Sequence, residues 1–338
     1  MTDRYLVTGA QGFVGRYFIV HLLDRFPQSM VLGVGRSAGQ NSHFRHAISY
    51  GGAAIPAPLP RHLRDVDPGR YSYISIDLSS AKLSELIREF QPTAVIHLAA
   101  DLRGTSEESV FQSNLRSTEG LLGSIRASGL PLRLLLLASS GGVYGRQEHV
   151  PIAETAAVDP VDSYSRSKLV SEELVRSFAL ESGTSIAIAR IFNVFGPGQD
   201  ELHFAGYIAA RLAASVADRC APVIRTGSLT STRDFLDVRD VCSALGAVLE
   251  GRLEGVCNLA SGVETNIGDL LELFLQLARP FATVQIQPDT GRLDPIPRHF
   301  ADINRLSEKG FAPQYSVAQT CRDMMNYYTR LVCTESPE

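Results

Sequence analysis

No stretch constrains this chain more than residues 4–26, RYLVTGAQGFVGRYFIVHLLDRF. It reads as one unit: an apolar strand, a glycine-punctuated turn and an amphipathic helix. Gly9, Gly12 and Gly15 are spaced GxxGxxG. The first permits a tight turn, the second a close approach of backbone to a pyrophosphate, and the third the packing of helix on strand. Unpaired N–H groups and the dipole at the helix N-terminus then face the anion. A strand that feeds directly into such a helix predicts a parallel βα sheet.

The remainder repeats that alternation. SMVLGVGRS reads as a second strand, YSYISIDLSS as a third ending in Asp77, and PTAVIHLAAD as a fourth whose small Ala99 and Ala100 let a ligand pass close above the sheet. LRLLLLASS is a fifth, with Ser139 and Ser140 at its carboxyl edge; SIAIARIFNVFGPG is a sixth, closing with Asn193 and the breaker GPG; GVCNLAS returns one more. The expected fold is α/β, a Rossmann-like doubly wound parallel sheet with a smaller α/β substrate-binding lobe. The expected division is 1–192 plus 236–262 for the dinucleotide-binding domain and 193–235 plus 263–330 for the lobe, which carries proline breaks and Arg233, Arg292 and Arg298. Residues 38–72 form a long connection with Gly51, Gly52, Pro56, Pro58, Pro60, Arg45, Arg61, Arg64 and Arg70. Two readings are open for it, a cover over the adenosine end of a dinucleotide or a disordered flap.

Hydrophobic content of 44% supplies an ample core for 338 residues, and no tract approaches a membrane span. The N-terminus reads as strand and turn, so a cytoplasmic address is expected. Five scattered cysteines without CxxC spacing predict reduced thiols and no metal site. The net charge of -4 argues against nucleic-acid and anionic-membrane partners.

The chemistry concentrates between residues 139 and 168. Tyr164 and Lys168 are four apart in DSYSRSKLVSEELVRSF, which has helical periodicity, so one face presents a phenol beside an ammonium. Ser140 should emerge where open α/β sheets keep their ligands. The three side chains can converge on one carbonyl. At the tip of the second strand stand Gly35 and Arg36, where NAD-selective sites carry an acid; NADP is therefore expected in preference to NAD, the rival reading being a solvated arginine. Asp77 is either a partner for the adenine amino group or a helix N-cap, a task better suited to Ser79 or Ser80. Asn114 either braces the site through the backbone or lies on the surface.

TGAQGFVG, HLAA, SSGGVYG, YSRSK, RIFNVFGPGQ, RDFLDVRDV and NLASG, in that order, make the chain resemble the extended short-chain dehydrogenase/reductase family, in its sugar-nucleotide branch (the NAD-dependent epimerase/dehydratase family). The resemblance implies that Lys168 holds the nicotinamide ribose and, with the oxidised ring, pulls the Tyr164 phenol below its usual pKa, while Ser140 stabilises the reacting sugar oxygen. Gln11, Phe13 and Val14 in the glycine turn, Leu78 beside Asp77, Leu98 before Ala99 and Ala100, and Ile191 on the sixth strand are the further cofactor contacts it implies. Dehydratases place an Asp and a Glu where this chain has Gly141 and Gly142, and epimerase-reductases of the GDP-fucose synthase type place a Cys and a His at Gly142 and Gly198, so neither chemistry is expected.

NADPH-dependent reduction of a 4-keto nucleotide sugar and C4 epimerisation with tightly bound NAD both use the remaining residues; reduction is favoured by Gly35 and Arg36. A noncatalytic NADP-binding sensor or scaffold is the alternative of another class, and the intact Ser140, Tyr164 and Lys168 oppose it. With GPGQ before a helix, GSLTSTRDFLDVRDV and the tail GRLDPIPRHFADINRLSEKGF, the C-terminal half resembles GDP-4-keto-6-deoxymannose reductases. That similarity implies Arg233 and Arg292 as a pyrophosphate clamp and Asn193 as a neutral donor. Pro295, beside Asp294, departs from the acid usual there. Family members commonly pair as homodimers through helices corresponding to residues 107–128 and 164–182.

Overall fold

A computed structural model describes residues 3–50, 53–102, 104, 106–218, 223–251, 253–278, 284–288 and 294–334. The N-terminal unit forms β1 (Arg4–Thr8) and α1 (Phe13–Arg25), followed by β2 (Met30–Gly35), an antiparallel hairpin of β3 (His43–Tyr50) and β4 (Ala53–Pro58), and β5 (Tyr71–Ser75). Then come α2 (Lys82–Phe90), β6 (Ala94–His97), α3 (Glu107–Ser128), β7 (Leu134–Ser140), α4 (Ser163–Ser182) and β8 (Ser185–Ile191).

The chain leaves the large sheet there for β9 (Asn193–Phe195), α5 (Phe204–Asp218), β10 (Val223–Thr226) and β11 (Thr232–Asp237). It returns through α6 (Val238–Gly251) and β12 (Gly255–Leu259), and ends with β13 (Glu264–Asn266), α7 (Ile267–Ala278), β14 (Gln285–Pro288), β15 (Arg298–His299), α8 (Asn304–Ser307) and α9 (Val317–Thr334).

The large sheet is parallel throughout, in the order β12-β8-β7-β6-β1-β2-β5. After β1 the chain moves outward through β2 and β5, then comes back to lay β6 on the other side of β1. The crevice above the carboxyl ends of β1 and β6 is thus the topological switch point, where a doubly wound sheet holds its ligand. Strand alternation divides the core into two layers. Tyr5, Val7, Val31, Ile96 and Leu136 pack toward α1 and α6 with Phe18, Leu22, Val241 and Leu245. Leu6, Leu32, Val95, Leu135 and Leu137 pack toward α2, α3 and α4 with Leu83, Ile87, Leu121 and Val175. In the smaller sheet β11 runs parallel to β9 and β15 and antiparallel to β13.

Three expectations change in detail. SIAIARIFNVFGPG is two strands, β8 and β9, because the chain breaks at Phe192 and β9 pairs with β11 instead. The N-cap position of α2 is Ala81, since Ser79 is already engaged by Asp77 in a local turn. The middle of the connection at 38–72 is the β3–β4 hairpin, which corrects the flap reading there: Phe44 is buried against Phe13, and the Tyr327 hydroxyl donates to the Pro58 carbonyl at 2.7 Å. Among the described residues no helix is long and apolar enough to cross a membrane.

Candidate active site

A cleft of about 670 Å³ lies over the switch point. Its floor is the turn between β1 and α1. Gly9 takes φ +69°, and a Cβ there would sit 2.7 Å from the Ala99 nitrogen, so the turn and the tip of β6 can touch only through glycine. Gly9, Gln11, Gly12, Phe13, Val14, Gly15, Leu98, Ala100 and Ile191 line the cleft. α1 starts at Gly12 without a side-chain cap and without an acid in its first turn, which leaves its amides for a ligand. Both amide atoms of Gln11 are buried with no hydrogen-bond partner among the described residues, a cost that a polar group in the cleft would remove. These features fit the pyrophosphate of a dinucleotide.

The opposite wall comes from β7 and α4. Asp162 caps α4 by accepting from the Ser165 amide at 2.7 Å, and the next turns carry Tyr164 and Lys168 on the face toward β7. Lys168 is buried and donates from Nζ to the Ala138 carbonyl at 2.8 Å; Nζ stands 5.8 Å from the centre of the Tyr164 ring. Burial lowers the Lys168 pKa to about 8, against the opposing pull of Glu172. Ser140 ends β7, and its Oγ accepts from the Gly142 amide at 3.1 Å. Ser140, Tyr164, Lys168, Asn193 and Arg233 all line the cleft.

The phenol departs from expectation. Burial pushes the Tyr164 pKa up, and Asp162 adds to the rise. A lowered value presupposes a cationic ring beside it, so it belongs to the loaded site; in the chain alone the Lys168 ammonium is directed at the Ala138 carbonyl.

The structure places the other candidates around this centre. Asn114 is buried behind it: Oδ1 accepts from the Asp101 amide at 2.7 Å, while Nδ2 donates to the Asp101 carbonyl at 2.9 Å and to Ser167 Oγ at 3.0 Å. It ties the loop after β6 to α4. Arg36 is exposed and ion-paired with Asp101. Asp77 accepts from the amide of Ser79 at 2.8 Å, Leu78 is buried, and Ala99 donates its amide to Thr8 Oγ1; with Arg36 and Asn114, these lie outside the cleft lining. Asn193 donates to the Asp234 carbonyl at 3.0 Å. Arg233 holds Asp294 at 2.6 Å together with the carbonyls of Thr232 and Ile296. Arg292 lies outside the described residues.

Two supports escaped the sequence reading. His97 sits under the turn, 2.7 Å from Thr8 Oγ1 and 3.2 Å from Thr118 Oγ1. Burial, with Lys168 adding, lowers its pKa to about 3, so it is a neutral structural link. Glu172, one turn beyond Lys168, is fully buried and accepts from Ser139 Oγ at 2.6 Å and from Arg190 at 2.9 and 2.7 Å. This knot fixes α4 to β7 and β8 together. Phe44, Arg45 and His46 of the hairpin, and Gln199 and His203 after β9, also line the cleft. For the three hairpin residues the alternation in HFRHAISY was the available signal, obscured by flanking glycines and prolines.

Comparisons with known proteins agree with this architecture. The chain is 29% identical over 334 residues to the GDP-6-deoxy-D-mannose reductase of Pseudomonas aeruginosa, covering 96% of this chain and 97% of that one. Among solved structures, RMD from Pseudomonas aeruginosa complexed with NADPH is similar with a TM-score of 0.77 at 27% identity, covering 97% of this chain and 99% of that chain. The Thermus thermophilus UDP-glucose 4-epimerase complex with NAD gives 0.76 at 26%, covering 96% and 98%. Residues 5–260 match the model of the NAD dependent epimerase/dehydratase family. The chain belongs to that family and is an NAD(P)-dependent oxidoreductase of the extended short-chain dehydrogenase/reductase type.

Proposed function

We propose that this chain is an NADPH-dependent reductase of a 4-keto-6-deoxy nucleotide sugar, GDP-linked, working in the cytoplasm as a homodimer. The observation that carries the reading is the meeting of Ser140, Tyr164 and Lys168 in one cleft with the glycine turn, while the positions after the serine are Gly141 and Gly142, which bring no acid or base for elimination. Similarity to the reductase of Pseudomonas aeruginosa supports the substrate class. Its solved neighbour with NADPH, and the absence of an acid at Gly35 and Arg36, support the cofactor.

NADPH, held in the cleft by the glycine turn and Lys168, would supply the hydride that C4 receives. Tyr164 donates its proton to the 4-oxygen, and a phenol, with an ordinary pKa of about 10, is protonated at neutral pH as a donor must be. Ser140 already accepts from Gly142, so its own O–H is available to the same oxygen. Lys168 places a positive charge behind the phenol and makes its anion less costly. Residues 193–235 and 263–330 would grip the nucleotide: Asn193 donates, and Arg233 turns part of its fork from Asp294 to the pyrophosphate, with Arg292 as second cation.

Epimerisation at C4 is the second reading, favoured by the likeness to the Thermus thermophilus 4-epimerase. Ultraviolet absorbance of NADPH, followed with a panel of 4-keto-6-deoxy nucleotide sugars, tests the choice. Stoichiometric NADPH loss, fastest with a GDP-linked sugar, is expected. No loss, with NAD bound to the purified protein, would replace the reductase by the epimerase.

A further inference from the structure

Hairpin β3–β4 brings charge to the end of β2 that the glycine-turn motif does not supply. In β3, where the ladder with β4 is irregular between His43 and Ala47, Phe44 is buried, His46 half-buried and Arg45 exposed. Phe44 and His46 fasten the strand. The Phe44 ring meets Phe13 at 6.0 Å, and His46 Nε2 lies 2.8 Å from the Gly198 carbonyl. Gly198 takes φ +85°, and any Cβ there would overlap the Phe44 ring. Held in this way, Arg45 reaches across to Ser37, two residues beyond β2, where its Nε and Nη2 donate to Oγ at 2.8 and 2.5 Å. Ser37 Oγ accepts both bonds and retains its own hydrogen to donate.

Arg16, in the first turns of α1, lines a second cavity with Asn41, Ser42 and Tyr71. It is 5% exposed; its terminal nitrogens donate to the Asn41 carbonyl and Oδ1 at 2.9 and 3.2 Å, and its Nε is buried with no partner among the described residues. Burial lowers its pKa; Tyr71 and Tyr73 oppose the fall, and Arg45 adds a smaller lowering. Among the described residues neither arginine has a carboxylate within ion-pair distance, whereas the charge of Arg36 is already met by Asp101. A buried guanidinium without a counter-charge is costly, and an anion between the hairpin and β2 would remove the cost.

We propose that Arg45, with Ser37 and backed by Arg16, grips the 2′-phosphate of the adenosine end and sets the preference for NADP, with Arg36 in a minor part. The inference rests on the NADP reading of this same cleft. Ser37 offers an O–H, Arg45 its remaining N–H groups, and Arg16 a positive field.

Calorimetric titration of the purified chain with 2′,5′-ADP and with 5′-AMP separates the two claims. In the wild type 2′,5′-ADP is expected to bind at least tenfold more tightly, and Arg45→Ala to lose most of that ratio while Arg36→Ala keeps most of it. Arg45→Lys, which retains charge without the fork, should fall between. Equal affinities in the wild type would overturn the NADP reading itself. A wild-type ratio that survives in Arg45→Ala but collapses in Arg36→Ala would overturn the assignment to the hairpin and leave that reading standing. Unchanged circular dichroism of the variants ensures that folding does not explain the result.

Discussion

At the scale of single residues, the account rests on two neighbouring groups that burial moves in opposite senses. Tyr164 is held protonated, and Lys168 loses part of its affinity for the proton. Tyr164→Phe should therefore lower turnover by about a hundredfold or more while leaving NADPH affinity, measured by fluorescence titration, nearly unchanged. Lys168 makes a pH prediction with two signs. Its charged form disappears above about pH 8, so kcat/KM, which reports the free enzyme, should fall there. Stability moves the other way. The unfolded lysine, with a pKa of about 10.4, binds more protons than the folded one between the two values, so the cost of burying the ammonium is full below about 8 and is relieved as pH rises through that window. Urea midpoints of wild type and Lys168→Met across pH 7 to 10 would reveal the term as a difference that shrinks with pH; a constant difference would refute it.

Elements hold these residues in place through contacts that local patterns do not display. The Glu172 knot joins α4, which carries Tyr164 and Lys168, to β7, which carries Ser140, and to Arg190 on β8. Glu172→Gln leaves a buried guanidinium poorly paired and should cost about 3–5 kcal/mol in urea unfolding. Arg190→Met combined with Glu172→Met should recover much of that loss, because no charge is then stranded. Gly198→Ala drives a methyl group into Phe44 from a left-handed backbone, so it should loosen the hairpin and weaken nucleotide binding more than it lowers Tm. The helices and the buried strands were readable from period and apolar runs; the cap that Asp162 supplies to α4 appears only in the structure. The hairpin was not, because Gly51, Gly52 and the prolines mimic a loop, and its register depends on Phe13, Gly198 and α9, far away in sequence. For the same reason Arg45 stood in the sequence only as one of several basic residues of a long connection.

Over the whole molecule, the sheet order puts the first glycine turn, the tip of β6 and the end of β7 along one crevice, so residues separated by more than a hundred positions meet above parallel strands. That architecture was legible because a βα repeat with a glycine turn admits few topologies. The partners of Arg233 were not, since Asp294 and Ile296 reach it through tertiary packing alone. The most direct test of a reductase is the fate of the hydride. NADPH carrying deuterium at C4 of its nicotinamide, incubated with a GDP-linked 4-keto-6-deoxy sugar, should yield a 4-hydroxy product with one deuterium at the sugar C4 and an equal amount of NADP. A product without deuterium, formed while the labelled NADPH remains intact, would contradict the account.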